Sequence, residues 1–162
     1  MMLRRKKARP GTVLAEAAFI YPVLFLLVLA IILLGLSVFR YQQVAHISRE
    51  ASRWASVHGE QYAKENNTTA ATPQDVYDKA ITPFAAGMQT DGITYSITWN
   101  TDANGNPDKR PTRTVQVVDP ATGLTKPVAV SNTVTVTVTY TWNTGLFGTL
   151  PVSSTSVNTI SY

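Results

Sequence analysis

The sequence predicts an α+β protein in which a long N-terminal helix leads into a small domain built on a roughly four-stranded antiparallel sheet. Three observations carry this. Ala17 to Phe39 is a run of 23 residues without a charge, long enough to cross a bilayer as a helix. Beyond Arg40, apolar or small residues recur at spacings of three and four. From Ile93 onward the period changes to two.

The helix is expected to run from about Thr12 to Gly59, roughly 70 Å at 1.5 Å per residue. Pro22 should kink it, which membrane helices tolerate. Past the membrane, Tyr41, Val44, Ile47, Ala51, Trp54 and Ala55, with Tyr62 beyond, form a stripe on which a soluble domain can pack. The other face carries His46, Arg49, Glu50 and Arg53, with Glu50 placed to pair locally. Glu65 to Thr72 reads as a linker. Thr72-Pro73-Gln74-Asp75 reads as a helix start, with Thr72 as N-cap. Val76, Tyr77, Ala80, Ile81 and Phe84 supply that short helix with apolar residues before Pro83 and Gly87 limit it.

Strands follow. Ile93, Tyr95, Ile97 and Trp99 alternate with polar residues, as do Val115 and Val117. The clearest run is Val134, Val136, Val138, Tyr140 and Trp142, interleaved with Thr133, Thr135, Thr137, Thr139 and Thr141. Such alternation marks strands with one face on a core and the other in water. Ser153 to Tyr162 is a weaker final strand. Asn100–Thr112 and Asp119–Pro127 read as loops.

Charge separates the two ends of the chain. Five of the fourteen basic residues, Arg4, Arg5, Lys6, Lys7 and Arg9, precede Gly11. Without residues 1–11, nine basic residues face ten acidic ones, so the high net charge belongs to the first segment and nucleic acid is not an expected partner. Basic residues ahead of the span, with Arg40 alone close behind it, predict a cytoplasmic N-terminus and an extracytoplasmic C-terminal domain. The apolar run is too long for a removable secretory signal. With no cysteine, disulfides, thiol nucleophiles and cysteine metal sites are excluded.

One charge breaks the apolar stretch: Glu16, five residues after Gly11. A carboxylate inside a membrane helix costs roughly 2.5–3.5 kcal/mol at mid-membrane and is functional by default. A basic segment ending in Gly11, followed by Thr12-Val13-Leu14-Ala15-Glu16 and an apolar helix, resembles a type IV prepilin processing site. Pro22, the Ser48-Arg49-Glu50-Ala51-Ser52-Arg53-Trp54-Ala55 stretch and the Thr/Val-rich strand near the C-terminus resemble the TadE-like proteins of tight-adherence (Flp) pilus systems. The resemblance is specific over Gly11 to Gly59. It implies cleavage between Gly11 and Thr12 by a prepilin peptidase, and a pilin-like exported domain. It further implies that the Glu16 carboxylate pairs with the new α-amino group of a neighbouring subunit, making Glu16 an assembly residue.

On this reading the chain divides into a leader (1–11), a transmembrane helix (12–39), an exported amphipathic extension (40–63) and an extracytoplasmic α+β domain (64–162). The implied role is that of a minor pilin or pseudopilin. Its partners would be the peptidase, other pilins, the assembly platform in the inner membrane, and lipid. The rival reading is an uncleaved membrane-tethered module that binds an envelope protein or a glycan.

Other candidate chemistry reads as structural. Arg49 and Arg53, one helical turn apart, could dock an acidic partner or lipid headgroups; salt bridges to Glu50 and the sheet domain are the plainer expectation. His46 and His58 have no ligands at metal spacing. Asp102-x-Asn104-x-Asn106-x-Asp108 begins like a calcium loop, but Gly105, Pro107 and Arg113 break the pattern, so an ordinary loop is expected. Asn66-Asn67-Thr68-Thr69 contains overlapping glycosylation sequons in what reads as an exposed linker. No catalytic triad, paired-carboxylate motif or phosphate loop stands out, and no enzyme activity or cofactor is expected.

Overall fold

The computed structural model describes residues 10–145 and 148–162, except the side chains of Pro10 and Thr12. The basic residues ahead of Gly11 lie outside the described residues. The chain forms two compact units, one ending at Phe39 and one spanning Arg40–Tyr162.

The first unit contributes only helix. Its described residues belong to α1 (Pro10–Val57), which contains Pro22. Proline removes one i→i−4 hydrogen bond, yet α1 stays helical through it. The side chains from Val13 to Phe39 are almost all exposed, Phe19 by 80%.

The second unit is built on the remainder of α1. Val44, Ile47, Ala51 and Ala55 are buried, so the spacing of three and four does set the packing face. Tyr41 remains exposed and Trp54 is half-buried. α1 ends at Val57, and α2 (Glu60–Glu65) follows after Gly59. Gly59 is required by close approach: a Cβ there would lie 2.6 Å from the Lys109 carbonyl oxygen and clash with that of Tyr162. Glu60 N donates to the same Lys109 carbonyl at 3.1 Å. Tyr62 therefore sits on a separate short helix rather than continuing the α1 stripe.

α3 (Pro73–Val76) starts as its sequence predicts. Asp75 N donates to Thr72 Oγ1 at 3.2 Å, and Thr72 N donates back to Asp75 Oδ2 at 3.0 Å. The Thr72 hydroxyl, donating to Asp75 Oδ2 at 2.6 Å, and then the Thr72 N–H hold the Asp75 carboxyl below its ordinary pKa. A π-turn (Tyr77–Ile81) and a 3₁₀ turn (Thr82–Phe84) continue it. Val76, Ala80 and Ile81 enter the core, whereas Phe84 remains exposed.

The α+β class holds, but the strands divide differently from the expected four-stranded sheet. β1 (Ile93–Trp99), β4 (Thr133–Asn143) and β5 (Thr149–Thr159) form a three-stranded antiparallel sheet in the order β1-β4-β5. β2 (Thr112–Val118) and β3 (Thr125–Ser131) pair as a separate two-stranded ribbon. The ribbon has no buried face: Val117, Val118 and Val128 are exposed. It therefore lacks the core contact that would add it to the main sheet. β3 lies partly in the stretch that reads as loop because Pro127 sits within it. A two-stranded ribbon has an unpaired edge on each strand, where proline can be accommodated.

The core lies between the inner face of the three-stranded sheet and the helices. Val134, Val136, Val138 and Tyr140 of β4 are buried with Ile93, Ile97 and Trp99 of β1. Opposite β5 the contact is hydroxylated. Ser48 Oγ lies 3.1 Å from Ser154 Oγ, Ser52 Oγ lies 2.9 Å from Ser156 Oγ, and Ser161 N donates to the Ser56 carbonyl at 3.1 Å. Four helix residues advance about 6 Å and two strand residues about 6.6 Å. α1 and β5 thus run in the same direction with matched steps. The serines also bond to carbonyls three residues back along α1, which satisfies these buried hydroxyls.

A polar lock closes the far loop. Asp108, only 2% exposed, receives Arg110 Nε and Nη2, both at 2.8 Å. The Arg110 guanidinium holds the Asp108 carboxyl down at about 2. Buried Asn132 donates through Nδ2 to the Arg110 carbonyl at 2.9 Å, and its backbone carbonyl accepts from Ile160 N at 2.8 Å.

Candidate functional site

The first candidate residues lie at the start of α1. Gly11 is exposed, and a Cβ there would meet nothing within 4 Å. No neighbour in the fold demands glycine, although glycine costs a helix about 1 kcal/mol relative to alanine. The Gly11–Thr12 bond falls in the first turn of α1, whose N–H groups have no partners further back along the helix. Five residues on, Glu16 is exposed and has no hydrogen bond or ion pair among the described residues. Val13, Leu14, Phe19 and Ile20 around it are exposed apolar side chains. The chemistry of this surface is thus one carboxylate on an otherwise apolar helix.

Arg49 and Arg53 are exposed on the second half of α1. The expected salt bridges to Glu50 and the sheet are absent among the described residues. The ion pairs found there are Lys79–Asp75, Arg110–Asp108 and Lys126–Asp119. Arg49 instead donates Nε to the Ala45 carbonyl at 3.0 Å. Local helix geometry allows pairing with Glu50, but an exposed pair gains little over hydration. Gly11, Glu16, Pro22, Arg49 and Arg53 all belong to one helix.

Beyond these, an aromatic ladder climbs from α1 to α2. The Trp54 and His58 rings stack at 3.9 Å, and His58 meets Tyr62 at 4.5 Å. Tyr162 closes on Tyr62 at 6.2 Å and donates its hydroxyl to Glu65, which raises the Tyr162 pKa. A cleft of about 220 Å³ lies beside the ladder, with Asp75 and Lys79 on its wall. The rings are engaged with one another and with Lys79, 5.7 Å from the Trp54 ring, so the ladder offers no open aromatic platform. Trp54 and Tyr62 were legible as packing residues; the part played by His58 was not.

The Asp102–Asp108 loop is an ordinary connection. Asp102 Oδ1 accepts from Asn104 N and Asn106 N at 2.9 and 2.8 Å, while Asp108 is committed to Arg110. No cluster of three or more metal-ligating side chains occurs among the described residues.

The fold and this surface define a class: an α+β protein whose single long apolar helix fits a single-pass membrane protein. Within that class, residues 11–53 match the family model described as TadE-like protein. The matched stretch contains Gly11, Glu16, Pro22, Arg49 and Arg53, and the TadE-like resemblance is established there. The TadE-like pilins are a structural family without enzymatic activity. No curated protein and no solved structure matches the chain.

Proposed function

We propose that this protein is a minor pilin or pseudopilin that initiates, primes or stabilises assembly of a tight-adherence (Flp) pilus. The observation that carries the proposal is Glu16, a carboxylate without a partner among the described residues, on an exposed apolar helix within the stretch matching the TadE-like family. A charge in that setting needs a partner. A prepilin peptidase cutting between Gly11 and Thr12 would create one, the α-amino group of Thr12, on a neighbouring subunit. The absence of any packing reason for Gly11 fits a requirement set by the peptidase, which must approach the backbone closely. The other partners are fellow pilins and the assembly platform of the inner membrane, with Pro22 adjusting the helix among them. Arg49 and Arg53, exposed on the exported part of α1 without an ion pair among the described residues, are placed to meet a partner of opposite charge. The Arg40–Tyr162 unit lies outside the cytoplasm, and the protein acts by contact, without catalysis or cofactor.

Intact-mass measurement on protein from peptidase-positive cells tests processing. The proposal expects a chain beginning at Thr12. A chain still beginning at Met1 or Met2 sinks it and favours an uncleaved tethered module. Orientation is tested with a phosphatase fused after Tyr162, which should be active; an inactive phosphatase, with a cytoplasmic reporter active at the same site, reverses the assignment.

A further inference from the structure

The hydroxyl contacts between α1 and β5 fix a level along the Arg40–Tyr162 unit. Ser48 meets Ser154, and the two elements run in the same direction. Eight residues back along α1 from Ser48 is Arg40, about 12 Å away. Four residues back along β5 from Ser154 is Leu150, about 13 Å away. Leu150 is therefore level with Arg40, the first charged residue after the apolar run. Leu150 pairs with Trp142, and the next inner-face pair in the register, Tyr140 with Val152, lies one step further in. The Arg40 guanidinium stands 5.9 Å from the Tyr140 ring centre, which places Tyr140 independently at the same end.

This end of the unit carries apolar surface that remains exposed among the described residues. Leu150 is 42% exposed and Tyr41 54% exposed, and Trp142 is half-buried. The nearby charges are Arg40 and Asp91, the latter just ahead of β1, which begins opposite Tyr140. Trp and Tyr beside an Arg, immediately after an apolar span, have the composition of the membrane–water interface.

We propose that Tyr41, Trp142 and Leu150 form a lipid-contacting end of the Arg40–Tyr162 unit, seated in the headgroup layer of the bilayer that holds the first part of α1. The occupant is the lipid surface because the apolar run ends at Phe39, one residue before the level of this patch. Arg49 and Arg53, about 14 and 20 Å further along the helix, stand beyond that layer and are left for protein partners. The proposal rests on the membrane-spanning reading of α1, and its test separates the two.

The chain has no cysteine, so single cysteines can carry nitroxide labels on the full-length protein in phosphatidylcholine nanodiscs. Labels go at Leu150→Cys, at Thr155→Cys on the exposed outer face of the same strand, and at Ile31→Cys within the apolar run. Collision with lipid-soluble oxygen is compared with collision with a water-soluble nickel chelate. The expected result is an oxygen-to-nickel ratio at position 150 several-fold above that at 155 and approaching that at 31. Equal ratios at 150 and 155, with 31 in lipid, overturn the proposal and leave the span intact. Shielding of 150 from both reagents also overturns it, because protein would then cover the patch. A water-exposed label at 31 overturns the spanning reading itself. Tyr41→Cys, on the helix rather than the hairpin, repeats the measurement independently of any disturbance at Leu150.

Discussion

Phe19 and Ile47 lie on the same helix, yet Phe19 is 80% exposed and Ile47 only 1%. The contrast extends along α1. From Val44 to Ser56 the inward side chains meet the sheet, and even the serines have partners. From Val13 to Phe39 the side chains are almost all exposed, and the one charge, Glu16, has nothing to pair with among the described residues. A helix satisfied by its own chain is a structural element. A helix whose needs are met only by lipid and other molecules is an assembly element. α1 changes character at Phe39/Arg40, where the two compact units divide, and under the proposed function its first part is such an assembly element.

The contrast is most sharply tested at the two ends of α1. Replacing Gly11 with a bulky residue should abolish processing while leaving the Arg40–Tyr162 fold unchanged, as read by intact mass and circular dichroism. Cleavage persisting in such a variant would remove the external demand on that position. Ile47→Ala should do the reverse. It should cost roughly 2–5 kcal/mol of domain stability, as large-to-small core changes do, with cleavage and membrane insertion retained. Denaturant unfolding of the Arg40–Tyr162 unit measures it, and a loss below about 1 kcal/mol would show that the α1 face is not core.

Smaller effects refine the second half. The Asp108 carboxyl is held down at about 2 in the folded chain, so its contribution is fully present above about pH 4, the ordinary range of an aspartate. It is lost as pH falls through 2. Because Arg110 is half-exposed and water screens the pair, the loss should be roughly 1–2 kcal/mol. Unfolding curves of wild type and Asp108→Asn should therefore converge in acid; a gap unchanged between pH 7 and pH 2 contradicts the ion pair. Ser52→Ala should cost least, about 0.5–1.5 kcal/mol for losing the buried hydroxyl contact with Ser156, its bond to the Arg49 carbonyl being local to the helix. Thermal denaturation resolves it, and a larger penalty than that of Ile47→Ala would invert the ranking of hydroxyl and apolar contacts.

Much of this contrast was legible from residue pattern. The uncharged run and the stripe through Val44, Ile47 and Ala51 depend on local periodicity, and so do the Thr72 cap and the alternation of β1 and β4. What escaped notice depends on which elements meet. Ser48, Ser52 and Ser56 read as neutral helix residues until β5 places Ser154 and Ser156 opposite two of them. β3 was hidden by Pro127, which only an unpaired edge tolerates. The split of four expected strands into three and two follows from Val117, Val118 and Val128 having no core to face, a tertiary fact. At the candidate site the order is reversed: Gly11, Glu16 and Pro22 stand out by spacing and resemblance alone, and the fold adds that among the described residues nothing packs against Gly11 or pairs with Glu16.

The central claim is that Glu16 is satisfied by another subunit rather than by its own chain. Glu16→Gln keeps the size of the side chain, removes its charge, and should insert at least as well. It cannot form an ion pair with a partner's α-amino group. An amine left buried and unpaired costs roughly 3–5 kcal/mol per contact, as for other broken buried pairs. The measurement compares wild type with Glu16→Gln, scored separately for cleavage, membrane abundance and pili. The account predicts normal cleavage and abundance with loss of pilus production or of co-purifying pilins. Full piliation in the Gln variant would contradict it.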